Sequence, residues 1–263
     1  MYSRIWNRYL YDKGLSPVKE PFKKLVHQGM ILGENGIKMG KRFPEFVVNP
    51  SDIVRDYGAD TLRLYEMFMG PLEASKPWSA AGVEGAFRFL KRSFRMVVEQ
   101  PVVDRAMTAD ELRMLHATIK KVTNDLETLN INTAISQLMI FVNAFAGEGK
   151  DLPREAAETF VLLLSPIAPH LCEELWQRLG HDKTLAYGPW PTYDEKHLAV
   201  DEVEIAIQIC GKLRGRMKMP AAATPAEMEK LALADATVQA AIAGKTVRKV
   251  VAIPKRIVNI VAV

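Results

Sequence analysis

The sequence predicts a mainly α-helical chain with an α+β end. Three observations carry that expectation. Four segments between residues 81 and 180 repeat apolar residues with a period near 3.6, which reads as an antiparallel helix bundle. The run from 201 to 263 alternates β-rich and helical stretches in the order ββααββ. The first 80 residues break short apolar runs with Gly and Pro, which suits a mixed junction. The expected domains are therefore 1–80, 81–197 and 201–263.

In the first region, Tyr2 to Lys13 reads as a helix stopped at Gly14. Met30–Leu32 and Phe46–Val48 read as short strands flanking a Gly- and Lys-rich loop. Ser51 is the expected N-cap of a short helix carrying Ile53, Val54 and Tyr57 and ending at Gly58. A further helix starts near Asp60 and stops at Gly70-Pro71.

The bundle helices are expected at about 81–99, 108–128, 131–147 and 153–180. Pro166 and Pro169 split the last into two, because an interior proline removes a helical hydrogen bond. The stretch from Gly188 has two prolines and reads as a linker held down by Trp190. In the terminal module the strands are VEIAIQIC, LRGRMKM, VRKVVAI and IVNIVAV, with PAEMEKLALAD and ATVQAAIAG helical between the second and third. A module of about 60 residues lies near the small end of independently stable domains.

Composition limits the function classes. The 263 residues are 48% hydrophobic and 25% charged, which excludes a long disordered chain. Two cysteines, Cys172 and Cys210, exclude a disulfide framework and a four-cysteine metal site; both read as small core residues. The start has no signal-peptide pattern and no window approaches a membrane span, so a cytoplasmic location is expected. No metal site is expected: His170 and Glu173 lie three apart without a third ligand, and His170 is expected to pack on Trp176. Met30, Met67 and Met69 are expected to fill core.

The net charge of +4 is unevenly placed. Residues 1–200 hold 25 Lys and Arg against 25 Asp and Glu, and residues 201–263 hold 10 against 6. Two basic faces follow from periodicity. Arg88, Lys91, Arg92 and Arg95 fall at i, i+3, i+4 and i+7, opposite a core stripe of Phe87, Leu90, Phe94, Val97 and Val98. No acid lies between Glu84 and Glu99, so this face suits a phosphate backbone. Lys212, Arg214, Arg216 and Lys218 alternate along a strand, and period two puts all four on one side with Leu213, Met217 and Met219 on the other. Lys245, Arg248 and Lys249 follow on the third strand, and Lys255-Arg256 between the last two.

The loop ENGIKMGKR holds Lys38 and Lys41 among Gly33, Gly36 and Gly40. On composition alone it is a solvated turn, and the Walker pattern GxxxxGK[ST] is absent. Its context says more. KMGKR followed by VVNPSDIVRDYGADTLRLYEMFMGPLE resembles the KMSKS-loop region of class I aminoacyl-tRNA synthetases, and within that class leucyl-tRNA synthetase. KEPFKKLVHQGMILGE upstream, LSPIAPHLCEELW in the bundle, and GKLRGRMKMP and GKTVRKVVAIPKRIVNIV near the end also resemble the leucyl pattern, in family order. Isoleucyl and valyl relatives share GAD-x-LR but diverge after it.

The resemblance implies that Lys38, Met39, Gly40, Lys41 and Arg42 meet the phosphates of ATP, with Lys38 and Lys41 in the catalytic role. It also implies that both basic faces bind tRNA(Leu), and that Mg2+ accompanies ATP in the full-length enzyme. It departs from the family in the loop: both serines of KMSKS are replaced, and Phe43–Phe46 stands where a shorter RGN is usual. No HxGH occurs, so the resemblance implies a C-terminal part of such a ligase, lacking the N-terminal catalytic half and the editing domain. Alone, such a part is expected to be monomeric, to hold no nucleotide tightly and to be inactive. The alternative is a stand-alone tRNA- or RNA-binding module without ligase activity.

Overall fold

The computed structural model describes residues 1–198, 202–220, 223–254 and 256–262; Lys255 of the expected basic set lies outside them. The chain forms two compact units, Met1–Asp194 and Glu195–Val263.

In the first unit, α1 (Tyr2–Asp12) opens the chain and β1 (Ile31–Leu32) follows an extended arm. Next come α2 (Pro50–Tyr57), α3 (Ala59–Phe68) and β2 (Lys76–Pro77), which pairs parallel to β1. The bundle is α4 (Ala80–Val98), α5 (Ala109–Glu127), α6 (Ile131–Phe145), α7 (Arg154–Leu164) and α8 (Pro169–Arg178). A second short parallel pair, β3 (Val102–Val103) with β4 (Leu152–Pro153), ties the α4 end to the α7 start.

Local chemistry sets these boundaries. Thr108 and Glu111 form a reciprocal capping box on α5, and Ser79 caps α4 through the Gly82 N–H. The cap of α2 is Asn49, whose side chain accepts the Ser51 N–H at 3.0 Å, and not Ser51 itself. Pro50 occupies the first helical position, where its missing N–H costs nothing, and this moves the start upstream. The strand expected at Phe46–Val48 is also replaced. Pro44–Phe46 makes a 3-10 turn, because Pro44 fixes φ and the pairing edge of β1 is taken by β2. Pro169 starts α8, as the proline split requires.

One hydrophobic core runs through this unit and across position 80. It includes Leu64, Tyr65 and Trp78 together with Phe89, Met96, Leu115, Ile135, Leu138, Phe160 and Leu175. Phe141 stacks on Phe145 at 4.3 Å and on Phe160 at 5.2 Å between centroids. The buried stripe of α4 is centred on Val83, Ala86, Phe89, Leu90, Met96 and Val97, with Phe87, Phe94 and Val98 at its margins. Met67 and Met69 pack against this core, but Met30 is half exposed. Trp190 holds the linker down by donating to Thr123 Oγ1 at 2.8 Å. Trp176 stacks on His181, not on His170.

The second unit is a four-stranded sheet with two helices on one face. Its elements are β5 (Glu202–Ile209), β6 (Lys212–Pro220), α9 (Pro225–Ala234), α10 (Ala236–Ile242), β7 (Val247–Ile253) and β8 (Ile257–Ala262). The order is β6-β5-β8-β7, with β5 and β8 parallel at the centre and a hairpin at each edge. Ile205, Ile207, Ile209, Val258 and Ile260 face Met228, Ala232 and Val238 of the helices. Cys210 is not core: it sits exposed at the β5–β6 turn with φ 48°, followed by Gly211 at 78°. That pair of left-handed residues is the geometry of a two-residue hairpin turn.

Candidate nucleic-acid interface and phosphate loop

The Gly- and Lys-rich loop is rooted at β1. Gly33 N–H donates to the Ile37 carbonyl at 2.8 Å, Gly36 N–H returns to Gly33, and Asn35 Oδ1 accepts the Ile37 N–H. Gly36 has φ +75°, a conformation that favours glycine. Gly33 is buried, and an added Cβ would lie 2.9 Å from Phe46 Cβ, so the turn admits no side chain there. Lys38 bridges back to Leu32, which fixes where the motif leaves the turn.

Beyond that bridge the motif opens to solvent. Lys38, Gly40, Lys41 and Arg42 are exposed, while Met39 packs against the core and anchors the segment. Nothing lies within 4 Å of a Cβ placed on Gly40, so its backbone is open to a ligand. The Arg42 guanidinium lies 5.5 Å from the Phe43 ring centroid. Three cations around an open glycine suit a polyphosphate.

The root of this loop is locked to the bundle. The Lys76 and Trp78 N–H groups donate to Met30 and Leu32 carbonyls at 3.0 and 2.9 Å. Ser79 N–H donates to the Tyr65 hydroxyl at 2.7 Å. Burial pushes the Tyr65 phenol up and the Lys76 amine down from their ordinary pKa values. From α3, Asp60 and Arg63 clamp the α7–α8 corner. Asp60 Oδ2 accepts the Leu171 N–H at 2.7 Å, and His170 Nδ1–H donates to Oδ1 at 2.8 Å. Arg63 donates to the Pro166 and Ile167 carbonyls at 2.9 and 3.1 Å. In the local sequence Asp60 reads only as a helix start. An acid and a base three apart on a helix, with a proline-bounded corner elsewhere in the chain, is the sequence pattern of this clamp.

On α4, Arg88, Lys91, Arg92 and Arg95 are all exposed on one face, as the spacing requires. Two are engaged: Arg92 donates to Asn143 Oδ1 at 2.8 Å, and Arg95 reaches Glu99 at 3.8 Å. Lys91 lies 5.2 Å from the Phe87 ring centroid. Beside Arg92 and Arg95 opens a cavity of about 1120 Å³. On its wall, Arg105 grips Glu111 at 2.8 Å and Asp151 at 2.7 Å. This contact holds the Glu111 carboxyl down to a pKa of about 2.

The second basic face is only partly as expected. β6 carries a bulge: Gly215 opposes Ile207, but Leu213 opposes Gln208, so Arg214 has no partner. The extra residue reverses the alternation. Arg216 and Lys218 share the open face with Ala206 and Glu204, whereas Lys212 opposes Ile209 and takes the parity of the buried face. Leu213, expected inside, is 56% exposed on the open face. The four cations therefore do not lie on one side. On β7 a like shift sets Arg248 out of register, while Lys249 opposes Val261 on the open face. Lys245 precedes the strand in an exposed turn. Glu204 pairs with Arg216 at 3.3 Å, so the face carries mixed signs around apolar Leu213, Val251 and Ile253.

Among the described residues no group of three His, Cys, Asp or Glu is placed to hold a metal, and no helix is long and apolar enough to cross a membrane.

Residues 12–76 match the family of class I tRNA synthetases (I, L, M and V), and residues 111–230 match the anticodon-binding domain of tRNA ligase. The chain carries class I tRNA synthetase and anticodon-binding domains. A solved structure aligns with it throughout: the ternary complex of Agrobacterium radiobacter K84 AgnB2 LeuRS, tRNA and LeuAMS. The identity is 27% and the TM-score 0.71, over 100% of this chain and 36% of that one. The chain thus spans about a third of the synthetase that it matches. The synthetase match contains the whole Lys38–Arg42 loop and the α3 clamp, and the anticodon-binding match begins at the α5 capping box.

Proposed function

We propose that this chain is the C-terminal part of a leucine–tRNA ligase. It would contribute the ATP-phosphate loop and the tRNA-binding domains to ATP-dependent attachment of leucine to tRNA(Leu) in the cytoplasm. The observation that carries the reading is the LeuRS alignment, which runs through both units and leaves no part of the chain out.

Lys38 and Lys41 would hold the ATP phosphates as point charges, with Arg42 beside them and the Gly40 backbone open to approach. ATP supplies the activated phosphoryl bond, and Mg2+ would accompany it in the whole enzyme. The protein's share is positioning and charge stabilisation. The β1–β2 pair and the Asp60–Arg63 clamp give that loop a rigid base. The α4 face and the open face of the terminal sheet would meet tRNA phosphates, which set affinity and salt dependence. Shape would set selectivity. Alone, the 263 residues would be monomeric and would not make leucyl-adenylate.

The test is a salt titration of binding to tRNA(Leu) against a second tRNA. A preference for tRNA(Leu) that persists across salt supports the leucyl reading. Equal binding at every salt favours an RNA-binding module without ligase function. Leucine-dependent ATP–pyrophosphate exchange by this chain alone would contradict the proposed division of labour.

A further inference from the structure

From Glu34 to Val48 the phosphate-loop segment contains no serine, threonine or tyrosine, so no hydroxyl of its own can tie its backbone. Its order comes from turns and from one close packing. Phe43 N–H donates to the Gly40 carbonyl at 3.1 Å, which places Lys41 and Arg42 at the central positions of a β-turn. Two further turns follow at once. Phe46 N–H donates to the Phe43 carbonyl at 3.2 Å, and Val47 N–H donates to the Pro44 carbonyl at 3.1 Å. They carry half-buried Phe46 back onto the root of the loop. A Cβ placed on Gly33 would lie 2.9 Å from Phe46 Cβ and 3.4 Å from the Phe46 carbonyl oxygen. The two ends of the loop therefore meet in a neck that only a glycine admits.

The turn that bears the cations is thus held from both sides. Before it Met39 packs against the core, and after it Phe46 closes on Gly33. The Arg42 guanidinium, 5.5 Å from the Phe43 ring centroid, leans on the same turn. Neither Phe46 nor Gly33 carries charge to a phosphate, so what they can supply is the place where the charges stand. A loop without the neck would have to order its backbone and its long cationic side chains on binding, at a cost in conformational entropy. We infer that Phe46, closed on Gly33, is a positioning residue of the phosphate loop and presets Lys41 and Arg42 for a polyphosphate. The inference rests on the phosphate reading under Proposed function.

The experiment titrates inorganic tripolyphosphate into the 263-residue chain at several salt concentrations. Binding is followed by amide NMR, and loop opening by hydrogen exchange. Phe46→Ala removes the closing side chain, Gly33→Ala puts a methyl group into the neck, and Phe46→Leu keeps an apolar side chain there. Phe46→Ala and Gly33→Ala should each bind about fivefold more weakly, with faster exchange confined to residues 36–47. Their salt dependence should stay that of wild type, because no charge is removed, whereas Lys41→Ala should flatten it. Phe46→Leu should keep wild-type affinity. Wild-type exchange in the bundle checks that each variant folds. Wild-type affinity in both Phe46→Ala and Gly33→Ala overturns the inference and leaves the phosphate reading standing. A wild-type chain that binds no tripolyphosphate, or binds it equally well after Lys38→Ala and Lys41→Ala, sinks the phosphate reading and the inference with it.

Discussion

Asp60 on α3 accepts the backbone N–H of Leu171 on α8 at 2.7 Å, across 111 residues of chain. The carboxylate thereby satisfies one of the unpaired donors at the start of α8, where a negative charge also meets the positive end of the helix dipole. Arg63, one turn on, holds the carbonyls just before the same helix. The pair joins the loop-bearing segment to the bundle at both polarities of one corner.

Asp60→Ala should therefore cost about 1–3 kcal/mol, because a buried acceptor is lost and a helix-start donor is left unpaired. Urea unfolding of wild type and variant measures it. Arg63→Ala should be less than additive with Asp60→Ala, since both act on the same corner. Full additivity would mean that the two contacts are independent.

Acid stability should depend on Glu111. Its pKa is about 2 in the folded chain and near 4.5 when free. A depressed carboxylate contributes stability that is complete above the free value and is lost as pH falls through the folded one. Between pH 4.5 and about 2 the wild type should lose stability more steeply than Glu111→Gln. Thermal melts across that window give the comparison, and parallel curves would remove Glu111 from the account.

In an enzyme that contains this segment, Lys41→Ala should slow ATP–pyrophosphate exchange by about tenfold to a few hundredfold. That range corresponds to one charge-assisted contact of about 1.5–3 kcal/mol. Unchanged exchange would take Lys41 out of the phosphate site.

The bulge at Arg214 makes its own prediction. Leu213 is half exposed, so Leu213→Thr should change stability by about 0.5 kcal/mol or less. Ile205, fully buried opposite Met217, should cost about 2–5 kcal/mol on truncation to alanine. Similar losses at both positions would restore the simple alternation.

The same register distinguishes the cations. Arg216→Ala and Lys218→Ala should each reduce the salt slope of tRNA binding by about one, and Lys212→Ala should change it less. Filter binding at several salt concentrations reads the slopes, and an equal effect at Lys212 would argue against a single binding face.

The sequence by itself determined the helices, the ββααββ order and the cation spacing on α4. Those features rest on repeats within a few residues: Pro169 starts a helix wherever it folds, and Arg88 to Arg95 share a face on any helix. Tertiary structure alone decided which acid meets Leu171, on which side Leu213 and Lys212 lie, and which face of α1 is covered. Asp60 finds its partner across a fold, and no local window contains both ends. The bulge exists only relative to β5, because register is a property of two strands. Helix periodicity puts Tyr2, Ile5, Trp6 and Tyr9 on one side of α1, but only the hydrogen bonds of Asn7 to the Val18 and Lys19 carbonyls and the pairing of Arg4 and Arg8 with Glu20 show that this side faces outward.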